Sequence, residues 1–367
     1  MRLGRFASLV AAALLSAQQA AAQEVTFVVH HFLAPVANAH KAMIVPWTEK
    51  VTAESGGRIA FEIFPAMALG GKPAELYGQV RDGTADIVWT LLGYTPGVFP
   101  RAEVFELPTV HTGSATATTI ALNAAFDLIA EDFREVKVIF LHSHDGNLIQ
   151  TAARPVRAIE DVRGLKLRTP SRTGAWVIEA MGAEPVAMPV TALPEAMARG
   201  TVDGAMTTLE VVPSIKLEEL VRHTTEPPEG DRMGTSVFML AMNRDAYEAL
   251  PADLRAVIDA NSGVNVAAGI GAQWEGFEQG GIDALAAAGA ERIILDEAAD
   301  RGEPSPTRPV PRLQPPWQRS RRSAAFWAFC VALTAAVIAG PWIDPLFAGS
   351  RDPLGDLLRA RATSELP

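Results

Sequence analysis

The chain has 367 residues and only one cysteine, Cys330, so no intramolecular disulfide can staple it. It also lacks a basic balance. Its 32 Lys and Arg residues face 42 Asp and Glu residues, and the net charge of −10 argues against a nucleic-acid partner. The short motifs of catalysis are missing as well: there is no His-Glu-x-x-His, nucleophile elbow, phosphate loop or dinucleotide fingerprint, and Gly93 and Gly97 do not supply the glycine spacing. No enzyme class, cofactor or resident metal is therefore expected.

The N-terminus has Arg2 and Arg5, an apolar run from Phe6 to Leu15, and a small-residue stretch ending at Ala20, Ala21 and Ala22. That is the order of regions in a secretory signal peptide, with an apolar run too short to span a bilayer. Cleavage is expected after Ala22, where no cysteine follows to carry a lipid anchor. The remainder is longer than a usual single core, and its 49% hydrophobic and 20% charged residues are an ordinary globular balance, so two lobes are expected.

β-Branched and apolar residues predict a strand at 25–29, followed by a loop at His31-Phe32-Leu33-Ala34-Pro35 and a helix over 38–53. Further strands are predicted at 58–64, 85–91, 136–141, 165–168, 185–188, 202–206 and 237–242, with helices at 75–81, 114–132, 174–181 and 194–200. Gly56-Gly57 and Gly83 stop two of the helices. Strands alternating with helices define an α/β fold with a mainly parallel sheet covered on both faces. Alanine-rich sequence from Ala249 to Ala288 predicts long helices that pack across two lobes and make the hinge. Regular patterning ends at Asp296. Residues 297–323 read as a Pro/Arg-rich linker and 324–367 as an atypical tail, whose apolar stretch 324–340 is at the lower limit for a membrane span. Arg301, Arg308, Arg312, Arg319, Arg321 and Arg322 before that stretch, against Arg351, Arg359 and Arg361 after it, oppose the positive-inside tendency, so tethering by the tail is not favoured.

The order of several segments resembles the extracytoplasmic solute receptors of tripartite ATP-independent periplasmic (TRAP) transporters over about 25–296. They are His31-Phe32-Leu33-Ala34-Pro35, Gly56-Gly57-Arg58-Ile59, Val80-Arg81-Asp82-Gly83-Thr84-Ala85-Asp86-Ile87, Asp161 through Pro170, Met181 through Pro189, and Gly200-Thr201-Val202-Asp203-Gly204-Ala205. The resemblance implies a periplasmic receptor whose two lobes close on a small organic acid and present it to integral membrane subunits. It also implies that Arg168 binds the carboxylate, a role for which a planar guanidinium is suited by its two parallel hydrogen bonds. Where many relatives have a glutamate-asparagine pair, this chain has Met206-Thr207-Thr208, and Asp145 through Thr151 holds no second arginine. One arginine suits one carboxylate. With Trp89, Thr90, Leu91, Leu92 and Tyr94 at the mouth of the third strand, a monocarboxylate with an apolar or aromatic body is expected.

The expected ligand-binding residues are Arg168, Thr207, Asn243, His31, Trp89, Thr90 and Asn147. His30 and His31 point to opposite faces of the chain, so at most one reaches a ligand. His142 and His144 share a face and could bind zinc only if a third ligand arrived, and spacing identifies none. The expected lobes are 23–143 with 234–273, and 144–233 with 274–296. Two other functions compete with the receptor: an exported metal-dependent hydrolase using the histidines, and the binding component of an ATP-driven importer. N-terminal sequencing of the exported protein is expected to begin at Gln23; a retained Met1 would remove the signal peptide from the account.

Overall fold

The computed structural model describes residues 23–295, residues 109 and 112 apart. The expected signal peptide, linker and tail lie outside the described residues. In chain order the strands are β1 (Val25–His31), β2 (Ile59–Phe64), β3 (Ile87–Leu91), β4 (Val136–Ser143), β5 (Leu148–Thr151), β6 (Lys166–Thr169), β7 (Glu184–Ala187), β8 (Gly204–Thr207), β9 (His223–Glu226), β10 (Val237–Asn243) and β11 (Glu291–Ile294). They form two sheets, one ordered β2-β1-β3-β10-β4 and the other β11-β9-β5-β8-β6-β7. The fold is α/β and two-lobed, one lobe on each sheet.

The expected mainly parallel sheet is corrected by two strands. β10 runs antiparallel to both β3 and β4, and β5 runs antiparallel to both β8 and β9. Each of them enters its sheet directly from the other lobe. No covering helix precedes them, so the crossover that makes neighbouring strands parallel is absent. The β-α-β portions keep the expected direction, with β1 parallel to β2 and β3, and β6 parallel to β7 and β8.

Central strands read as continuous apolar runs because they are covered on both faces: every residue of β3 and of β10 is buried. Strands β5, β9 and β11 escaped sequence analysis. Each has four residues, and β9 reads His-Thr-Thr-Glu, too short and polar for an alternating pattern; its neighbours in the sheet supply what its own sequence does not. The helix expected over 114–132 is shorter. It covers Ala115–Ala124 and begins where the Ser114 hydroxyl accepts a hydrogen bond from Ala117 N–H at 3.1 Å.

Three connections join the lobes. β4 passes to β5 through 144–147, and β9 passes to β10 through 227–236. These two crossings are tied together: Asn147 N–H donates to Gly234 O at 2.8 Å, Met233 N–H to Asn147 O at 3.0 Å, and the Thr235 hydroxyl to His144 O at 2.8 Å. The third connection is the helix Val264–Ala287, whose 24 residues span about 36 Å. Ile270 and Trp274 pack into the first lobe's core and Leu285 into the second's, so the expected division at 273/274 falls inside one continuous helix. Among the described residues no helix is long and apolar enough to cross a membrane.

Two glycines let this helix lie against both lobes. A Cβ at Gly271 would collide with the backbone of Thr116, and one at Gly281 with the carbonyl of Leu209. Gly281→Ala is therefore expected to destabilise by about 1–3 kcal/mol through overpacking, although alanine is the better helix former. Thermal melting followed by circular dichroism checks it; a melting temperature at or above wild type would mean that the helix has room to move off Leu209.

Candidate functional site

The ends of β3, β6 and β8 and the 144–147 crossing converge between the lobes around a cleft with about 360 Å³ of empty space, open solvent at its mouth included. The lobes meet across it. The Tyr94 hydroxyl from the first lobe accepts the Val190 N–H of the second at 2.9 Å, Glu103 pairs with Arg172 at 2.5 Å, and Glu106 accepts a hydrogen bond from the Thr173 hydroxyl. These bonds bridge the two lobes across the cleft.

Arg168 lies in β6, a strand paired on both sides, with Arg168 opposite Val186 of β7 and Ala205 of β8. Only 2% of the residue is exposed, yet it has no acidic partner among the described residues. Its Nε donates to Met188 O at 2.9 Å, which fixes the plane of the guanidinium, while Nη2 is buried with no hydrogen-bond partner. Burial lowers its pKa, and the neighbouring Tyr94 phenol offsets part of that effect. An arginine nonetheless remains charged. A fixed, buried cation with an idle donor is a site for an anion.

The wall beside it is aromatic. Trp89 stacks on Phe32 at 4.9 Å between ring centroids and on Phe238 at 5.0 Å, and Tyr94 meets Phe32 edge-on at 5.4 Å. All four rings line the cleft, with Leu33, Leu91, Val190 and Val211. Trp89 Nε1 donates to His142 Nε2 at 2.8 Å, which locks the indole and commits the imidazole lone pair. One cation and an apolar, ring-lined body together suit a flat organic acid with one carboxylate.

A profile of the bacterial extracellular solute-binding proteins, family 7, matches residues 29–298. The chain belongs to this family. Among solved structures it is similar to a TRAP solute-binding protein from Rhodoferax ferrireducens T118, in complex with copurified benzoate: 36% identical, covering 92% of this chain and 97% of that one, with a TM-score of 0.78. It is similar also to a marine metagenome TRAP solute-binding protein specific for aromatic acid ligands, in complex with 3-hydroxybenzoate: 34% identical, covering 91% and 99% of the two chains, with a TM-score of 0.78. A solute-binding protein of Albidiferax ferrireducens is 26% identical over 212 residues, 56% of this chain; the match spans 61% of the length of that curated relative.

In this family 7 chain, four of the residues singled out by sequence line the cleft together: Arg168, Thr207, Trp89 and Asn147. Three do not. Asn243 lies at the far end of β10, where its amide donates to Val80 O at 2.9 Å and its Oδ1 accepts from Ala246 N–H at 3.0 Å; it caps a helix and leaves nothing for a ligand. His31 is buried against His40, with Nε2 and Nδ1 2.9 Å apart. Thr90 sits between Trp89 and Leu91 on β3, and strand alternation turns it away from the cleft that they line. Cleft residues missed in the sequence include Phe32, His144, Thr208, Glu210, Ser236 and Phe238. Phe32 was visible in the first loop, one residue beyond the histidine chosen; Ser236 and Phe238 reach the cleft only through the antiparallel entry of β10.

Titratable groups are unusually deep. Burial pushes the His31 and His142 imidazoles down to about 3 and His111 to about 4, so all three are neutral at pH 7. His144 is also lowered, and its Nδ1 accepts the Gly146 N–H at 2.9 Å. Glu106 is pushed up to about 7 by burial, and Glu210 to about 8 by burial and by the charges of Glu278 and Asp145. A histidine lowered on folding destabilises as pH falls below about 6.5, where the unfolded chain takes the proton first. A carboxyl raised on folding destabilises as pH rises from about 4.5 through its folded pKa. The two effects oppose each other between these limits, which places the stability optimum on the acid side of neutral. Glu210→Gln is expected to raise the melting temperature at pH 8 by a few degrees and change it little at pH 5, measured by calorimetry. Equal shifts at both pH values would show that Glu210 does not titrate in this range.

Proposed function

We propose that this protein is a periplasmic solute receptor that captures an aromatic monocarboxylate between its lobes and delivers it to the integral membrane subunits of a TRAP-type secondary transporter. The observation that carries this is Arg168: a buried guanidinium, oriented by Met188 O, with an idle Nη2 and no acid beside it, at one side of a cleft walled by Phe32, Trp89, Tyr94 and Phe238. The carboxylate completes the hydrogen bonding of Arg168, and the ring stacks among the aromatic side chains. Thr207 and Asn147, on the same cleft, support it with hydrogen bonds. Relatives 34–36% identical that hold benzoate and 3-hydroxybenzoate support the same ligand class.

Export with removal of residues 1–22 belongs to this proposal. So does hinge motion, with about 23–143 and 234–273 moving against about 144–233 and 274–296. The competing hydrolase gains no support from the geometry, since His142 is committed to Trp89 and sits inside an aromatic stack. An ATP-driven importer is not the system of the 34–36% relatives, which are TRAP proteins.

Calorimetric titration with benzoate tests the reading. Loss of one partner of a desolvated charge pair costs about 2–5 kcal/mol, so Arg168→Ala is expected to weaken binding by roughly thirtyfold to several thousandfold. Arg168→Lys retains charge but not the two-pronged geometry, and should recover little of the loss. A folded alanine variant binding within about threefold of wild type would move the carboxylate site elsewhere.

A further inference from the structure

Glu210 lines the same cleft as Arg168, three residues beyond Thr207. The residue is 7% exposed, and its carboxyl forms no hydrogen bond or ion pair with any described residue. The acidic groups around it are Asp145 on the crossing between β4 and β5, itself pushed up to about 7 by burial, and Glu278 on the long helix, also raised by burial. Glu278 is already paired with Arg232 at 2.8 Å, so that guanidinium is not free to neutralise Glu210. The imidazole of His144, also on the cleft, is neutral. Nearby on the cleft lining, Asn147 Oδ1, Thr208 Oγ1 and Ser236 Oγ are buried without hydrogen-bond partners.

A ligand that offers only a carboxylate and a bare ring leaves these groups unsatisfied, at the desolvation cost of each. A second carboxylate beside Glu210 would meet the acidic neighbours Glu278 and Asp145. An uncharged hydroxyl meets neither difficulty, because it both donates and accepts.

We propose that Glu210 is a specificity-determining residue: with Asn147 it hydrogen-bonds an uncharged hydroxyl group on the ring of the monocarboxylate that Arg168 holds. This rests on the aromatic-acid reading of the cleft. Kept protonated at neutral pH by burial and by its acidic neighbours, the Glu210 carboxyl presents an O–H donor and a carbonyl acceptor, while Asn147 Oδ1 takes the proton of the ligand hydroxyl. The cleft then has a cationic site for the carboxylate and a neutral acidic site for the hydroxyl, and it excludes dicarboxylates.

The test is calorimetric titration of the whole chain at pH 7 with benzoate, the 2-, 3- and 4-hydroxybenzoates, isophthalate and 3-(aminomethyl)benzoate, using wild type, Glu210→Ala and Glu210→Gln. At least one hydroxybenzoate is expected to bind wild type about tenfold more tightly than benzoate, the effect of one or two neutral hydrogen bonds. Isophthalate should bind more weakly than benzoate. Glu210→Ala should cut the hydroxybenzoate-to-benzoate ratio to about threefold or less, and Glu210→Gln, whose amide also donates and accepts, should retain more of it. The proposal is overturned if benzoate binds wild type and no hydroxybenzoate is preferred, or if the folded alanine variant keeps the wild-type ratio. Preference for the aminomethyl compound also overturns it, since Glu210 would then act as an anion toward a cation. If wild type binds none of these acids, the aromatic-acid reading itself falls and this inference with it; benzoate binding separates the two failures.

Discussion

A guanidinium buried without a counter-charge is the constraint on which the cleft depends. Arg168 is held in β6 between two neighbouring strands, so its backbone cannot retreat to carry the charge to water, and Met188 O fixes the plane in which its idle donor points. Removing a full charge from solvent is tolerated only where hydrogen bonds or an opposite charge replace the water. Within the described residues that replacement is incomplete. That unmet donor marks the cleft as a place for an anion.

Burial holds the protein's deep titratable groups toward their neutral forms, and two of them, His144 and Glu210, share the cleft with Arg168. The imidazoles of His31, His111, His142 and His144 are kept neutral by burial, and Glu106 and Glu210 are held toward their protonated forms. A neutral lining keeps the field of Arg168 unopposed within a low-dielectric cleft, where a single charge pair is worth more than at the surface. The aromatic stack from Phe32 through Trp89 to Phe238 supplies a flat apolar wall, and the Trp89–His142 hydrogen bond fixes its angle. The join between the lobes is equally tight: two crossings are bonded to each other and one helix packs into both cores.

The α/β alternation and the loop that carries Phe32 and Leu33 were legible in the sequence, because each is a local pattern, a run of β-branched residues or a turn segment; Arg168 was singled out through the resemblance of its ordered motif to a known family. Trp89, Asn147 and Thr207 were legible for the same reason, each lying at a strand end or crossing that the motif order located. Asn243 misled because a polar residue closing an apolar strand looks alike at either end of a sheet; only the antiparallel entry of β10 places it at the pole away from the cleft, capping a helix. His31 misled because strand alternation gives a face but not what packs against it, and the structure puts His40 there.

By itself, then, the sequence determined the strand and helix periods and the apolar character of the segments around Arg168, properties carried within a few consecutive residues, while its length set the expectation of two lobes. Tertiary structure alone decided the mixed direction of the sheets, the meeting of Tyr94 with Val190, and the gathering of Glu210 with Asp145 and Glu278 from segments far apart in the chain. The physical reason is range. Propensity and periodicity act between near neighbours, whereas burial, pairing and the pKa of a carboxyl depend on what the folded chain brings beside it from a distance.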